Sequence, residues 1–349
     1  MGELATRTCE ASLNWKKGNL VVATSVAQLD VDTFGVDLGL GVPVTTFQVK
    51  KSVNDCCVEY QVYSLENPPQ LLRTISGGDS FSAADIDLDG RIEIWTHDAA
   101  ALENFDHLSV AEFDSAPSIV LRFERRQLLD VSSEFQDHFD SEIASARRDL
   151  DPDLLQDFKN SDGALSAEAR LPVERLHRLR NTKAKVLEIV WNYLYSGREE
   201  EAWRALSQMW PAADLSRIQT AIVNARARGI RAQTAASAAR RGKRQKKVQI
   251  FDAITRSRTG KMEVAPPQPI VLRRPPSAAT ENKDTLASEA LVLLVIDSAG
   301  KVRSAQAAAK TRIVDQDLIN AAYSWKFIPA FKDGRPVASR IRIASSAQQ

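Results

Sequence analysis

The sequence predicts an α+β protein of several domains, because its hydrophobic pattern changes repeatedly along 349 residues. Residues 1–135 contain short runs rich in valine, isoleucine, threonine and aromatic residues, with turn-forming residues between them. Between residues 136 and 239, apolar residues recur at helical spacing. A basic, proline-containing stretch follows at 240–285, and residues 286–349 return to a mixture of strand-like and helical patterns.

The N-terminal region, residues 1–135, is predicted to be β-rich. Its strand-like runs are Leu20–Ala27, Thr45–Val53, Val58–Ser64, Ile92–Thr96 and Ser118–Phe123. Clusters of glycine, proline, asparagine and aspartate separate these runs. Short strands with regular turn signals favour a β-sandwich or a propeller-like meander.

The clearest helix of the region 136–239 lies between Leu176 and Leu194, where apolar residues follow a helical stripe. Ser196 and Gly197 end it, and a second helix begins at Glu199 with acidic residues in its first turn. This pair resembles one tetratricopeptide hairpin. Two interpretations stay open, a hairpin that only packs against the rest of the chain and a groove that docks a protein.

Charge is unevenly distributed although the formal net charge is only +1. Acidic residues dominate 81–162 and basic residues dominate 226–261. The basic run 240–247 has no interleaved aromatic residues and belongs to no recognisable nucleic-acid-binding fold, so we expect no nucleic-acid partner. Prolines at 265–269 and 273–276 favour extended geometry, which predicts that 240–285 is a linker.

The terminal region, residues 286–349, is predicted to form a ββαβ unit in which a helix covers a three-stranded antiparallel sheet. Leu291–Ile296 is a continuous apolar run, Ser298–Gly300 is a hairpin turn, and the next strand follows it. Leu318, Ala322 and Trp325 share one helical face, and Pro329 ends that helix. The last strand, from Val337 to Ile343, alternates between apolar and polar residues.

The segment Trp325-Lys-Phe-Ile-Pro329, followed by Asp333-Gly-Arg-Pro-Val337 and a final strand, resembles the C-terminal domain of the TonB family of bacterial energy transducers. The resemblance implies structural roles for Trp325, Phe327, Pro329, Gly334 and Pro336. It also implies an exposed edge strand that captures an extended segment of an outer-membrane receptor. That strand comprises Val337, Ala338, Ser339, Arg340, Ile341, Arg342 and Ile343.

The same resemblance places the protein in the periplasm or cell envelope and implies energy transduction to outer-membrane receptors. Membrane association is then expected through a missing N-terminal anchor or through partners, because the longest apolar run, Ala290–Ile296, is far too short to span a bilayer. The alternative is an envelope scaffold that does not transduce energy. Its β-rich and helical regions would then bind a ligand or a partner protein.

An aspartate-rich loop in the N-terminal region is the candidate metal site. Asp85, Asp87, Asp89 and Glu93 occupy positions 1, 3, 5 and 9, and the carbonyl of Arg91 adds an oxygen. Alternate carboxylates in a tight loop match the oxygen ligands that Ca²⁺ requires. The loop resembles the calcium loops of FG-GAP/VCBS repeats. Two interpretations stay open, a Ca²⁺ site and a turn whose acids are solvated.

No constellation in the sequence indicates an enzyme. The four histidines lack metal-ligand spacing, and no nucleophile elbow is present. We therefore predict a protein without enzymatic activity. Adjacent cysteines such as Cys56 and Cys57 are not expected to bond to each other, because a disulfide between neighbours strains the peptide that joins them.

Overall fold

The computed structural model describes residues 8–165, 172–235, 248–254, 263–272, 291–307 and 316–344. These residues contain both helices and strands, and the strands form several sheets. The mixed α and β class predicted from the sequence is therefore confirmed. Among the described helices, none combines the length and the apolar character that crossing a bilayer requires.

Antiparallel strands build most of the N-terminal region. A hairpin of β1 (Cys9–Trp15) and β2 (Gly18–Val26) precedes a seven-stranded sheet in which each strand pairs with its neighbour in the sequence. The sheet contains β3 (Gln28–Val36), β4 (Val44–Lys50), β5 (Val58–Ser64), β6 (Leu71–Ala84), β7 (Glu93–Asp98), β8 (Ser118–Glu124) and β9 (Gln127–Asp130). The apolar side chains of the hairpin cluster with Phe47, Val49 and Tyr63 of the sheet.

Of the two predicted alternatives, a β-sandwich and a propeller-like meander, the seven strands form a meander within one sheet and not a sandwich. The reason is that helices share the larger core with the strands, whereas the β1–β2 hairpin shares only a small cluster with them. Tyr60, Ile94 and Leu121 of the sheet belong to the same buried cluster as Trp191 and Leu206 of the helical region. Burial of one apolar sheet face against helices satisfies the same hydrophobic demand as a second sheet.

Six helices accompany this sheet in the described residues up to 235. They are α1 (Ala99–Leu102), α2 (Gln136–Arg148), α3 (Pro152–Lys159), α4 (Val173–Tyr195), α5 (Glu199–Met209) and α6 (Leu215–Arg228). The turn between α4 and α5 contains Gly197 at a φ of 79°. Trp191 and Tyr195 of α4 are buried, and α4 packs against α2, α3 and α5. The resemblance to a tetratricopeptide hairpin is thus accompanied by packing inside the main core.

The terminal region forms a second core around a four-stranded sheet of order β10-β17-β12-β13. Its elements are β10 (Phe251–Asp252), β11 (Gln268–Val271), β12 (Leu291–Ile296), β13 (Val302–Ala307), α7 (Gln316–Ala322), β14 (Lys326–Ile328), β15 (Ala330–Lys332), β16 (Arg335–Val337) and β17 (Ser339–Ala344). Two short pairs, β11 with β14 and β15 with β16, lie outside that sheet.

The predicted terminal helix is shorter than expected. It ends at Ala322 and not at Pro329, because the residues around Phe327 are extended and pair with β11. The Phe327 N–H also donates to the Gly300 carbonyl at 2.9 Å, which ties this strand to the hairpin turn after β12. Trp325 still faces the core, where it is 4% exposed. Either a longer helix or a turn followed by a strand can direct the side chain of Trp325 toward the core.

The predicted linker is not free of contacts where it is described. Two of its segments, 248–254 and 263–272, lie against the terminal sheet. β10 pairs with β17, β11 pairs with β14, and the Ala265 N–H donates to the Phe331 carbonyl at 2.9 Å. The basic run 240–247 and the second proline cluster, 273–276, lie outside the described residues.

The expectation that Cys56 and Cys57 would not bond to each other is wrong. They form a disulfide in the turn between β4 and β5, and Cys9 is a free thiol. Because both residues lie in a turn, their backbone can adopt φ and ψ values that a regular strand does not allow.

Candidate functional site

The aspartate loop connects β6 to β7 and is closed by its own backbone. Both oxygens of Asp85 accept backbone N–H groups, one from Asp89 and one from Gly90, each at 2.9 Å. Leu88 and Gly90 adopt φ values of 56° and 82°, which fold the chain back tightly. The alternate aspartates therefore turn toward one centre.

Three of the five predicted metal ligands come together in this loop. One carboxylate oxygen from each of Asp85, Asp87 and Asp89 lies within 4.8 Å of the others. Arg91 donates its backbone N–H and its Nε to Asp89, at 2.8 Å and 2.9 Å. Its guanidinium thus supplies positive charge at the loop, in addition to the carbonyl that the sequence suggested as a ligand.

Glu93 is the first residue of β7, at the end of the loop, and is fully buried. Its Oε1 accepts hydrogen bonds from Nε and Nη2 of Arg122, at 2.9 Å and 2.7 Å, whereas its Oε2 has no hydrogen-bond partner among the described residues. Burial raises the pKa of Glu93 to about 7, and the charges of Asp87 and Asp89 add to that rise, although Arg122 opposes it. A nearby cation would compensate a buried carboxylate that lies close to other acidic groups and has one oxygen without a hydrogen bond.

The loop also contacts the terminal region, a contact that no motif in the sequence predicts. Ser298 Oγ donates to Asp85 Oδ2 at 2.8 Å, and the Asp85 N–H donates to Asp297 Oδ2 at 3.1 Å. Burial raises the pKa of Asp297 to about 7, although backbone N–H groups of Lys301 and Asp85 oppose that rise. Residues more than 200 positions apart meet here, so local patterning carries no signal for this contact.

Two lysines of the terminal region hold the first strand of the seven-stranded sheet. Lys301 Nζ donates to the Asp32 carbonyl at 2.6 Å and pairs with the Asp32 carboxylate. Lys326 Nζ lies 2.7 Å from Asp30 Oδ2 and also donates to the Val31 carbonyl. The lysines therefore satisfy carbonyls along a sheet edge that would otherwise be open to another strand.

The predicted partner-binding strand is not an open edge along its whole length. β17 has β12 on one side, and on the other side β10 runs parallel to it. The Phe251 N–H donates to the Ala338 carbonyl at 2.9 Å, and the Ala253 N–H donates to the Arg340 carbonyl at 3.0 Å. This covering segment belongs to the stretch that is predicted to be a linker. The linker prediction did not anticipate that it pairs with the sheet.

The remaining predicted residues of this site divide between core and surface. Val337 belongs to β16, while Ser339 to Ile343 belong to β17. Trp325 and Phe327 are buried, and Gly334 adopts a φ of 76° in the turn between β15 and β16. Pro336 is paired with Phe331 in that hairpin, and Pro329 connects β14 to β15. None of these five signature residues lies at the outer edge of β17.

A groove of about 390 Å³ continues the line of β10 along β17. Ile254, Pro266, Pro267, Ile341 and Ile343 contribute apolar surface to it. Arg342 lies at its rim and is exposed. The groove is therefore apolar in its floor and basic at the β17 side.

Comparisons with known proteins return no matching family model, no similar curated protein and no similar solved structure. The resemblances to TonB and FG-GAP/VCBS proteins accordingly depend on the motifs described above and stay hypotheses.

Proposed function

We propose that this chain is a cell-envelope protein that binds other proteins by taking up an extended partner segment along the outer edge of β17. The single observation that carries the proposal is that this edge already accepts a strand, β10, through backbone hydrogen bonds. An edge that pairs with one extended segment has the geometry needed to pair with another.

The backbone of β17 offers further pairing positions beyond β10. The carbonyls of Ala338 and Arg340 point to the outer side, and successive residues of a strand alternate in direction, so Arg342 also presents its N–H and carbonyl there. Among the described residues, the hydrogen bonds from the segment 251–253 end at the Arg340 carbonyl. A partner strand that reaches Arg342 would gain hydrogen bonds that β10 does not make.

The groove supplies side-chain selectivity. Ile341 and Ile343 face apolar neighbours, whereas Arg340 and Arg342 are exposed on the opposite face of β17. Alternating side chains of an added strand would therefore meet an apolar floor on one face and positive charge on the other.

The motif around Trp325 and the Asp333-Gly334 turn supports an outer-membrane receptor as the partner and the periplasm as the location, by resemblance to TonB proteins. Energy transduction would in addition require coupling to the inner membrane. The alternative function is a scaffold of the envelope that binds a partner through the same edge without transducing energy. The identity of the bound segment separates these two functions.

Photo-crosslinking in cells that express the full chain tests the proposal. A photoreactive residue replaces exposed Arg340, and Val173, which is 83% exposed on α4, is the control position. We expect an adduct with an extended segment of an outer-membrane receptor only at position 340. An adduct with another envelope protein would favour the scaffold, and equal labelling at both positions would contradict strand uptake.

A matched pair of variants checks that the backbone is responsible. Arg342→Pro removes the N–H on the outer edge, while Arg342→Ala removes the same side chain and keeps that N–H. We expect the adduct at position 340 to be lost in Arg342→Pro and retained in Arg342→Ala.

A second candidate function is Ca²⁺ binding by the aspartate loop. The specific observation in its favour is the buried Glu93 next to three clustered aspartates, because its Oε2 meets no hydrogen-bonding group in the part of the chain that the structure describes. Asp85, Asp87 and Asp89 would hold the ion, and the remaining ligands would be carbonyls or water.

A further inference from the structure

We propose that the segment Val248–Ile254 is an internal ligand that competes with the partner for β17, and that the partner segment shares its pattern of an apolar, an acidic and a small residue. This inference rests on the proposed function, because it concerns regulation of the same edge. It follows from how the segment is seated.

The buried side chains of the segment are its anchors. Phe251 is 8% exposed within the terminal core, and Lys332 Nζ lies 4.2 Å from the centre of its ring. Ala253, two residues later, is also buried. Residues that alternate along a strand share one face, so the pair defines the side that enters the core.

The residue between the anchors faces the opposite way. Asp252 is exposed and is the register partner of Arg340, which is exposed on β17. Opposite charges on adjacent strands favour pairing. Residues 251 to 253 of the bound segment are thus apolar, acidic and small in that order. A partner that pairs with the same edge in the same direction would place similar side chains at these positions.

The internal segment is suited to displacement because its pairing is short. Within the described part of the chain, two register pairs join β10 to β17, and the backbone hydrogen bonds from 251 and 253 do not extend to Arg342. Covalent attachment gives the segment a high effective concentration, which raises the affinity that any partner needs. A longer partner strand that also covers Arg342 and enters the groove can overcome that advantage.

A labelled peptide with the sequence of residues 248–254 tests competition in the full chain by fluorescence anisotropy. Phe251→Ala removes the main anchor of the internal segment, and Val248→Ala is the control, because Val248 is 54% exposed. We expect the peptide to bind the Phe251→Ala variant at least about tenfold more tightly than it binds wild type or Val248→Ala, because the internal segment no longer occupies the edge. A peptide in which alanine replaces the phenylalanine should bind none of them.

A second variant keeps the test valid if Phe251→Ala fails to fold. Asp252→Lys leaves the core unchanged and places one positive charge beside that of Arg340, so it should also increase peptide binding. Equal peptide affinity for wild type and both variants would overturn the internal ligand while leaving strand uptake intact. If no variant binds the peptide although fast hydrogen exchange at the amides of residues 251 and 253 shows that the edge is vacated, strand uptake itself fails.

Discussion

At the residue scale, the aspartate loop combines groups that repel one another. Asp85, Asp87 and Asp89 bring negative charge within 4.8 Å, and Glu93 is buried at the end of the loop. Like charges at such separations are costly unless a cation, a proton or a donor compensates. Arg91 and Arg122 compensate Asp89 and Glu93 in part, so the loop still offers carboxylate oxygens to a hard cation.

Titration calorimetry of the full chain with Ca²⁺ checks the loop. Wild type should bind Ca²⁺, and Asp87→Asn should weaken the affinity about tenfold or more, because one charged ligand is lost. Asp333→Asn is the matched control, since it makes the same change in a distant turn where asparagine tolerates the φ of 51°. Absence of heat at millimolar Ca²⁺ in wild type would contradict the metal site and leave only a turn.

His97 gives a prediction about pH. Its Nδ1 lies 3.0 Å from Asp79 Oδ2, and this hydrogen bond raises the pKa of His97 above 6.5, although partial burial opposes the rise. Because the folded pKa is raised, the stabilisation is fully present below about pH 6.5, the unfolded value, and is lost as pH rises through the folded pKa.

The pKa of His97 can be read from its ring protons by NMR. We expect a value above 6.5 in wild type and a lower value in Asp79→Asn, with Asp55→Asn as a control that leaves it unchanged. Both side chains of the pair are more than a third exposed, so the effect on unfolding is small. A titration at or below 6.5 in wild type would show that the pair does not form.

At the scale of elements, the turn between β12 and β13 positions the terminal region against the aspartate loop. Gly300 has a φ of 85°, and a Cβ added there would lie 1.8 Å from the Phe327 carbonyl oxygen. Gly334 has a φ of 76°, but a Cβ at that position meets nothing within 4 Å. Comparing alanine substitutions at these two glycines therefore separates the cost of a left-handed backbone from the cost of steric overlap.

Gly300→Ala should destabilise the terminal sheet far more than Gly334→Ala. Left-handed backbone alone costs an alanine about 1–2 kcal/mol, which both variants incur. Only Gly300→Ala must also move the strand around Phe327, so its loss should clearly exceed that range. Hydrogen exchange of the Leu294 amide in the full chain measures both losses. Equal losses would mean that the strand yields without cost.

Local patterning predicted the elements that depend on near neighbours. The apolar run at Leu291–Ile296 became β12, and the break at Gly197 separates α4 from α5, because turn glycines and hydrophobic period act locally. The extended stretch around Phe327 was missed, since its partner β11 lies far upstream and the stripe through Trp325 also fits a helix. Strand pairing over long separations leaves no period in either segment.

The candidate sites show the same division. The sequence identified Asp85, Asp87 and Asp89 as a cluster because they share one short loop. It did not identify Ser298 as a partner of Asp85 or Arg122 as a partner of Glu93, and it treated Phe251 as part of a linker. These contacts form by tertiary packing between distant parts of the chain, and no spacing pattern in the sequence reveals them.

At the scale of the whole molecule, the terminal region closes one edge of the large sheet and covers part of its own edge with a short segment. Lys301 and Lys326 bond to carbonyls and carboxylates of β3, which protects that strand from uncontrolled pairing. On β17, by contrast, only the short β10 intervenes, beside an apolar groove. The chain therefore blocks one sheet edge with charged side chains and the other with a short extended segment.

Hydrogen exchange at the Arg340 amide tests strand uptake most directly. The measurement compares the full-length Phe251→Ala chain with and without a saturating peptide of sequence 248–254. Strand uptake predicts that exchange at Arg340 slows, since its N–H lies on the edge that pairs with residues 251–253 and then meets a carbonyl of the peptide, while the amides of Ile341 and Ile343 change little because they face β12. Binding of the peptide with unchanged exchange at Arg340 would contradict uptake along β17.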